Sequence, residues 1–194
     1  MSPFCKTIVV VIICCQVFSI SCKTKKQSAT KGGTAVINDK DSVLNQFKRF
    51  FNDTLPLPHN YVNDYESIFT PPQEKYLNHL LDSFERKTAI RIAVVSFDQI
   101  MVTQQNFQAL TLQLANAWGV GSKGKNNGIL IGICAGHKRM RIENSRAIEK
   151  ILSDSATKVI VDSSFLPSFK IVDYFTGTLN GVNSIMKKIT ILQQ

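Results

Sequence analysis

The sequence is poor in the groups that usually carry out covalent chemistry. It holds three histidines, His59, His79 and His137, which fall in a proline-flanked lead-in, on a helix-patterned stretch and in a turn. It contains no G-x-S-x-G elbow and no H-E-x-x-H pair, so neither a serine triad nor a zinc-protease helix has a starting point. Cysteine is scarce as well. Cys5, Cys14 and Cys15 lie in or before an N-terminal apolar run, Cys22 stands directly behind it, and Cys134 is left without an intramolecular disulfide partner. Within an apolar strand, Cys134 reads as a small buried hydrophobe and not as a nucleophile. There is no internal repeat, and beyond Ile20 no apolar run is long enough to cross a bilayer.

The chain starts with features of an export signal. Lys6 precedes an apolar run from Thr7 to Ile20 that ends in small residues and is too short for a comfortable mature span. Residues 1–21 are therefore expected to be a lipoprotein signal peptide. Ser19, Ile20, Ser21 and Cys22 resemble a lipobox, with Ser19 where Leu is usual, which makes Cys22 the expected lipidation site. The alternative is plain cleavage near Ser21. The expected localisation is an exported, membrane-anchored lipoprotein facing the periplasm or the cell exterior, bound to the membrane through its lipid.

Residues 22–54, rich in Lys, Ser, Thr and Gly, read as a flexible basic tether. Within it Val43, Leu44, Phe47, Phe50 and Phe51 have the spacing of a helical turn or two, with no assigned role. Lys23, Lys25, Lys26, Lys31, Lys48 and Arg49 supply much of the net charge of +9. Such a charge suits nucleic acid, but export argues against that partner. Anionic headgroups and simple solubility are the two remaining explanations.

Residues 55–194 read as one folded domain. Leu55 to Pro58 form an extended lead-in, and Thr70, Pro71, Pro72 and Gln73 carry a helix-start signature. Leu77, Leu80, Leu81 and Phe84 follow at helical spacing. Ile90 to Phe97 and Ile129 to Cys134 are apolar runs of the kind found in strands covered on both faces. Between them Phe107, Leu110, Leu114 and Trp118 form a second helical stripe. Ala135 to Lys138 is a turn, and the alternating Arg139 to Glu143 returns antiparallel. Ala156, Val159 and Ile160 are expected to face inward. Phe175, Leu179, Val182, Ile185, Met186 and Ile189 mark a long closing helix on which Gly177 and Gly181 allow close packing. The fold class expected is α/β, a three-layer α/β/α sandwich around a short mixed sheet.

The glycine-rich stretch after Trp118 is the most distinctive part of the chain. Gly119, Gly121 and Gly124 spell G-x-G-x-x-G, and Gly119 to Lys125 spells G-x-x-x-x-G-K. Both phosphate-binding patterns need a loop that leaves a strand and opens a helix. Here a helix comes first and a strand follows, and Asn126 stands where the second pattern needs Ser or Thr, so both are rejected. Ala115, Trp118, Gly119, Val120, Gly121, Lys123 to Gly128 and Ile129 to Ile131 together resemble the core signature of the TPM domain family of bacterial envelope and thylakoid lumen proteins. Val62 to Tyr65, Thr88 to Val95, Arg139 to Glu143, Glu149 with Leu152 and Asp154, and Pro167 through Asp173 to Gly177 resemble its other blocks in order.

Oxygen donors suggest a site. Asp64, Asn126, Asn127, Glu149 and Asp154 sit in segments that could converge beyond one end of the strands, offering the hard ligands that calcium or magnesium prefers. The resemblance implies the same acidic pocket, which in the family is associated with divalent metal and in some members with acid phosphatase activity. The expected metal ligands are thus Asp64, Asn126, Glu149 and Asp154, beside a ligand loop of Gly119, Gly121, Lys123, Gly124, Lys125, Asn127 and Gly128. The plainer alternative is that Asp64 and Asp154 cap helices while Asn126 and Asn127 only turn the chain. Two departures weaken cation binding. Asn126 replaces the family's usual Asp, and Asn144 to Ala147 replaces a glycine-rich run and adds Arg146. No evident nucleophile is present, so the first expectation is a lipid-anchored accessory module for a membrane-associated partner protein. The second is a metal-dependent phosphatase, with Lys123 or Lys125 offsetting phosphate charge.

Overall fold

The computed structural model describes residues 55–120 and 127–192. The expected signal, the tether with Cys22, and loop residues Gly121, Lys123, Gly124, Lys125 and Asn126 lie outside that span. Four strands, β1 (Val62–Asp64), β2 (Arg91–Ser96), β3 (Gly128–Cys134) and β4 (Arg139–Asn144), line up in that order among the described residues. The first three are parallel, and β4 returns antiparallel to β3, with Cys134 opposite Arg139 and Ile129 opposite Asn144. The helices are α1 (Pro71–Thr88), α2 (Phe107–Ala117), α3 (Arg146–Glu149), α4 (Asp154–Ile160), α5 (Leu166–Lys170) and α6 (Tyr174–Leu192). The expected α/β class and mixed sheet are both present. β1 was not expected as a strand, because three residues carry no readable period. It forms by pairing with β2, in the register Val62 to Val94 and Asp64 to Ser96.

Alternation along the strands divides the core in two. Val62, Ile92, Val94, Ile129, Ile131 and Ile133 pack against α1 and α6, whose Leu77, Leu81, Val182, Ile185 and Ile189 are fully buried. Each such side chain contributes about 1.5–3 kcal/mol by leaving water. On the other face Ala93, Val95 and Leu130 lie under α2 through Phe107, Leu110 and Leu114. Gly132 lets that helix come close, since a Cβ there would stand 2.8 Å from Thr111 Cγ2. α1 starts as its sequence implies, with Thr70 extended and its N–H donating to the Gln73 side chain at 2.8 Å.

Between α4 and α5 the structure departs from the expected pattern. Val159 is 64 % exposed and does not face inward. Val161 to Phe165 form one wider, π-type turn, so the buried positions run Leu152, Ile160 and then Phe165. The extra residue rotates the helix before Pro167, which lacks an N–H and falls in the first turn of α5. Phe165 is fully buried over Gly181, and Phe169 lies over Gly177, where a Cβ would come 2.5 Å from its ring. These two glycines allow the close packing expected of them.

Candidate functional site

The described ends of the glycine stretch are organised by backbone geometry. Trp118 caps α2, and Gly119 follows at φ 64°, a left-handed angle that a Cβ disfavours. The Gly119 N–H donates to Asn116 O at 3.1 Å and the Val120 N–H to Ala115 O at 3.0 Å, which closes the helix. Val120 then turns inward against Gly128, where a Cβ would sit 2.9 Å from Val120 Cγ1. The Asn127 side-chain amide donates to Ala89 O, and Asn127 O accepts the Arg91 N–H at 3.3 Å. Gly128 and Ser145 bond reciprocally, N–H to Oγ and O to N–H, both at 3.0 Å. Gly119, Asn127 and Gly128 thus join α1, α2 and β3 at one corner.

Glu149 and Asp154 follow β4 out of that corner, and both are exposed. Asp154 is not a cap. Ser153 is the N-cap of α4 and accepts the Ala156 N–H at 3.4 Å, leaving Asp154 in the first helical turn. Asn144, which the sequence marked only as a departure, ties this segment down by donating to Leu152 O at 3.2 Å and Thr157 Oγ1 at 2.9 Å.

Asp64 is elsewhere. It pairs with Ser96 at the C-terminal end of β2, whereas Gly128 pairs with Arg91 at the other end. Five residues separate the two levels, roughly 17 Å at about 3.3 Å per residue. The structure therefore does not bring Asp64 together with Asn127, Glu149 and Asp154. The reason is directional: Asp64 leaves the C-terminal end of its strand, and Asn127 enters the N-terminal end of another. Among the described residues no three His, Cys, Asp or Glu side chains gather as a metal centre. Asp64 also has partners of its own. Its carboxylate accepts the N–H groups of Ile68 at 3.1 Å and Phe69 at 2.8 Å, and it takes the Ser96 hydroxyl proton in a further hydrogen bond.

Sequence reasoning missed the partners in this network, Glu66 and Ser96. Ser96 Oγ accepts the Glu66 N–H at 2.9 Å, and the Glu66 carboxylate accepts the N–H groups of Ala135 and Gly136, both at 2.7 Å. Burial raises the Glu66 pKa, the two turn amides oppose that rise, and Asp98 and Asp64 add to it. One signal was available: a lone serine closing an apolar run needs a hydrogen-bond partner once buried.

Next to the turn lies a cavity of about 300 Å³. Met140, Leu166 and Phe169 form apolar parts of its wall, and Lys138, Arg139 and Lys170 also border it. Cys134 reaches the cavity too. Burial is the main cause that pushes its thiol up to about 11, with the His137 and Gly136 amides opposing and Glu66 and Asp98 adding, so it stays a thiol at neutral pH.

The layered α/β/α architecture with a short parallel-plus-hairpin sheet defines the class. Within it, the TPM domain model matches residues 62–188, and the chain belongs to the TPM domain family. In structure it resembles the N-terminal domain of a P. gingivalis protein, with 28 % identity and a TM-score of 0.61, over 67 % of this chain and 82 % of that one. The N-terminal domain of the cg2496 protein of Corynebacterium glutamicum shares the fold at 14 % identity and a TM-score of 0.52, over 66 % of this chain and 79 % of that one. BA42 of Bizionia argentinensis shares it at 17 % identity and a TM-score of 0.55, over 64 % of this chain and 83 % of that one. No curated protein matches the chain.

Proposed function

We propose that this TPM domain is an accessory binding module, lipid-anchored at the cell envelope through Cys22, that engages a membrane-associated partner protein. The observation that carries this reading is how the described polar side chains of the expected site are used. Asp64 closes the loop before α1, and Asn127 joins α1 to β3. Groups held this way are poorly placed to change partners during a reaction. Crosslinking in intact membranes followed by pull-down is the test, with a specific protein recovered as the expected result. Recovery of the chain without a reproducible partner overturns the reading.

A divalent cation, calcium or magnesium, is part of this proposal, with Glu149 and Asp154 as ligands together with Asn126, which lies outside the described residues, and without Asp64. Titration with either ion is expected to move the amide signals of Asn127, Gly128 and Glu149. Unmoved signals at millimolar ion remove the cation from the reading.

The family model is named for a TPM phosphatase, and that name supports the second reading, metal-dependent hydrolysis of small phosphate esters. Its test is turnover of a generic phosphate ester by the purified chain with calcium or magnesium. Turnover that survives in a Glu149→Ala, Asp154→Ala variant would belong to a contaminant or to another site.

A further inference from the structure

α5 ends with an apolar side chain where backbone geometry favours glycine. The Val172 N–H donates to Phe169 O at 3.0 Å and the Asp173 N–H to Ser168 O at 3.0 Å, leaving Val172 at φ 65°. For a β-branched residue this is an outlier, and such strain tends to persist where it serves a purpose. Core packing is not that purpose, because Val172 is 72 % exposed and its neighbour Ile171 is 75 % exposed. Val172 is instead part of the wall of the cavity bordered by the β3–β4 turn and α5.

The cavity combines two chemistries. Its interior offers Met140, Leu166 and Phe169, with the Tyr174 ring 5.1 Å from that of Phe169. Lys138, Arg139 and Lys170, all exposed, supply positive charge at its edge, and among the described residues none of the three is ion-paired. The nearby acids have other roles. Asp173 accepts the Thr176 N–H at 3.0 Å at the start of α6, and Glu66 holds the turn amides. A volume of about 300 Å³ lies at the small end of the range for ligand sites. At about 30 Å³ per water it equals roughly ten waters, or a chain of roughly eight to ten carbons.

We propose that this cavity binds an acyl chain bearing an anionic head, with the chain among Met140, Leu166 and Phe169 under Val172 and the head among Lys138, Arg139 and Lys170. The site shares no residue with the Gly119–Gly128 corner, so it stands independently of the partner-protein reading. A free fatty acid and the tail of an anionic membrane lipid present the same chemistry, and the experiment separates them.

Amide hydrogen exchange of the full chain is followed over residues 138–140 and 166–174. The additions are decanoate below its micelle-forming concentration, decanol, or vesicles containing phosphatidylglycerol. Decanoate is expected to slow exchange in both segments saturably, and decanol to act roughly tenfold or more weakly, since it lacks the charge-assisted contacts. A Lys138→Gln, Arg139→Gln, Lys170→Gln variant should lose the preference for decanoate over decanol while keeping its melting temperature. Val172→Gly should raise the melting temperature by relieving the left-handed valine, yet weaken protection by decanoate. That opposite movement cannot come from unfolding. Protection by both decanoate and vesicles supports the proposal and adds bilayer lipid as a source, and protection by decanoate alone supports a free acid. Protection by vesicles alone means surface docking without an occupied cavity and overturns the proposal. So do equal responses to decanoate and decanol, and no response to any addition.

Discussion

Replacing Gly181 with alanine tests whether the π-type turn and α6 are locked together as described. An ideal Cβ at this position falls on the Phe165 ring, against Cε2, Cζ and Cδ2, far inside the 3.0 Å that real Cβ contacts respect. Phe165 cannot swing into water, because it is fully buried and its ring meets that of Phe169 edge-on at 5.9 Å. Two effects oppose each other. Alanine gains about 0.8–1 kcal/mol of intrinsic helix propensity over glycine. Forcing an extra methyl into a packed interior costs about 1–3 kcal/mol, and more where no side chain can move. With the overlap centred on a ring, the second effect dominates, and the variant should be destabilised by about 2 kcal/mol net. Urea unfolding followed by circular dichroism reads this as a lower midpoint at unchanged slope. In a Phe165→Leu background the same change should cost clearly less, because the smaller side chain leaves room, and the difference measures the contact directly. A Gly181→Ala chain as stable as the parent, or equal costs in the two backgrounds, would refute the packing argument.

Other outcomes follow from individual residues. Gly119→Ala should lose about 1–2 kcal/mol in the same urea assay, the cost of a Cβ in the left-handed region, and an unchanged midpoint would mean that α2 does not end as described. Glu66 titrates above its ordinary value of 4.5, mainly through burial, so the folded chain holds this proton more tightly than the unfolded one. Its contribution to stability is full below pH 4.5 and is lost as pH rises through the raised value. The deficit of a Glu66→Gln variant relative to the parent should therefore shrink with rising pH in that window, and a growing deficit would contradict the assignment. Cys134, with its thiol near 11, should be about one part in a thousand thiolate at pH 8. Iodoacetamide should then leave the peptide carrying Cys134 unmodified until urea is added, and rapid native labelling would show an accessible thiol.

The layers of this fold are legible in the sequence because burial acts on long stretches. Ile129 to Cys134 carries no polar side chain, Ile90 to Phe97 is interrupted only by Arg91 and Ser96, and Leu77, Leu81 and Phe84 keep helical spacing, so the cores they form follow from side-chain type. Val159 shows where that logic fails. It sits in α4 directly before Ile160, and successive helical positions point about 100° apart, so only one of the two faces the core. The π-type turn that follows shifts the later buried position to Phe165, with no composition signal to mark it. β1 fails for another reason, since three residues become a strand only through the neighbour they pair with. Asp64 parts from the other expected site residues because of strand direction. Asp64 and Asn127 are both polar residues at strand termini, and only the topology reveals that they lie at opposite ends of the sheet. Glu66 reaches the amides of Ala135 and Gly136 in the β3–β4 turn from a segment far away in the chain, a proximity that no local spacing encodes.

Trp118 donates its indole N–H to Pro56 O at 2.6 Å, and Leu55 and Trp118 both pack against the α2-side core. Any tension arriving from the N-terminal side reaches the folded body at this seam before it reaches a strand. With no second tryptophan in the chain, intrinsic fluorescence becomes a built-in strain gauge. A red shift that precedes loss of helical signal would report the lead-in peeling away while the sandwich behind it remains whole.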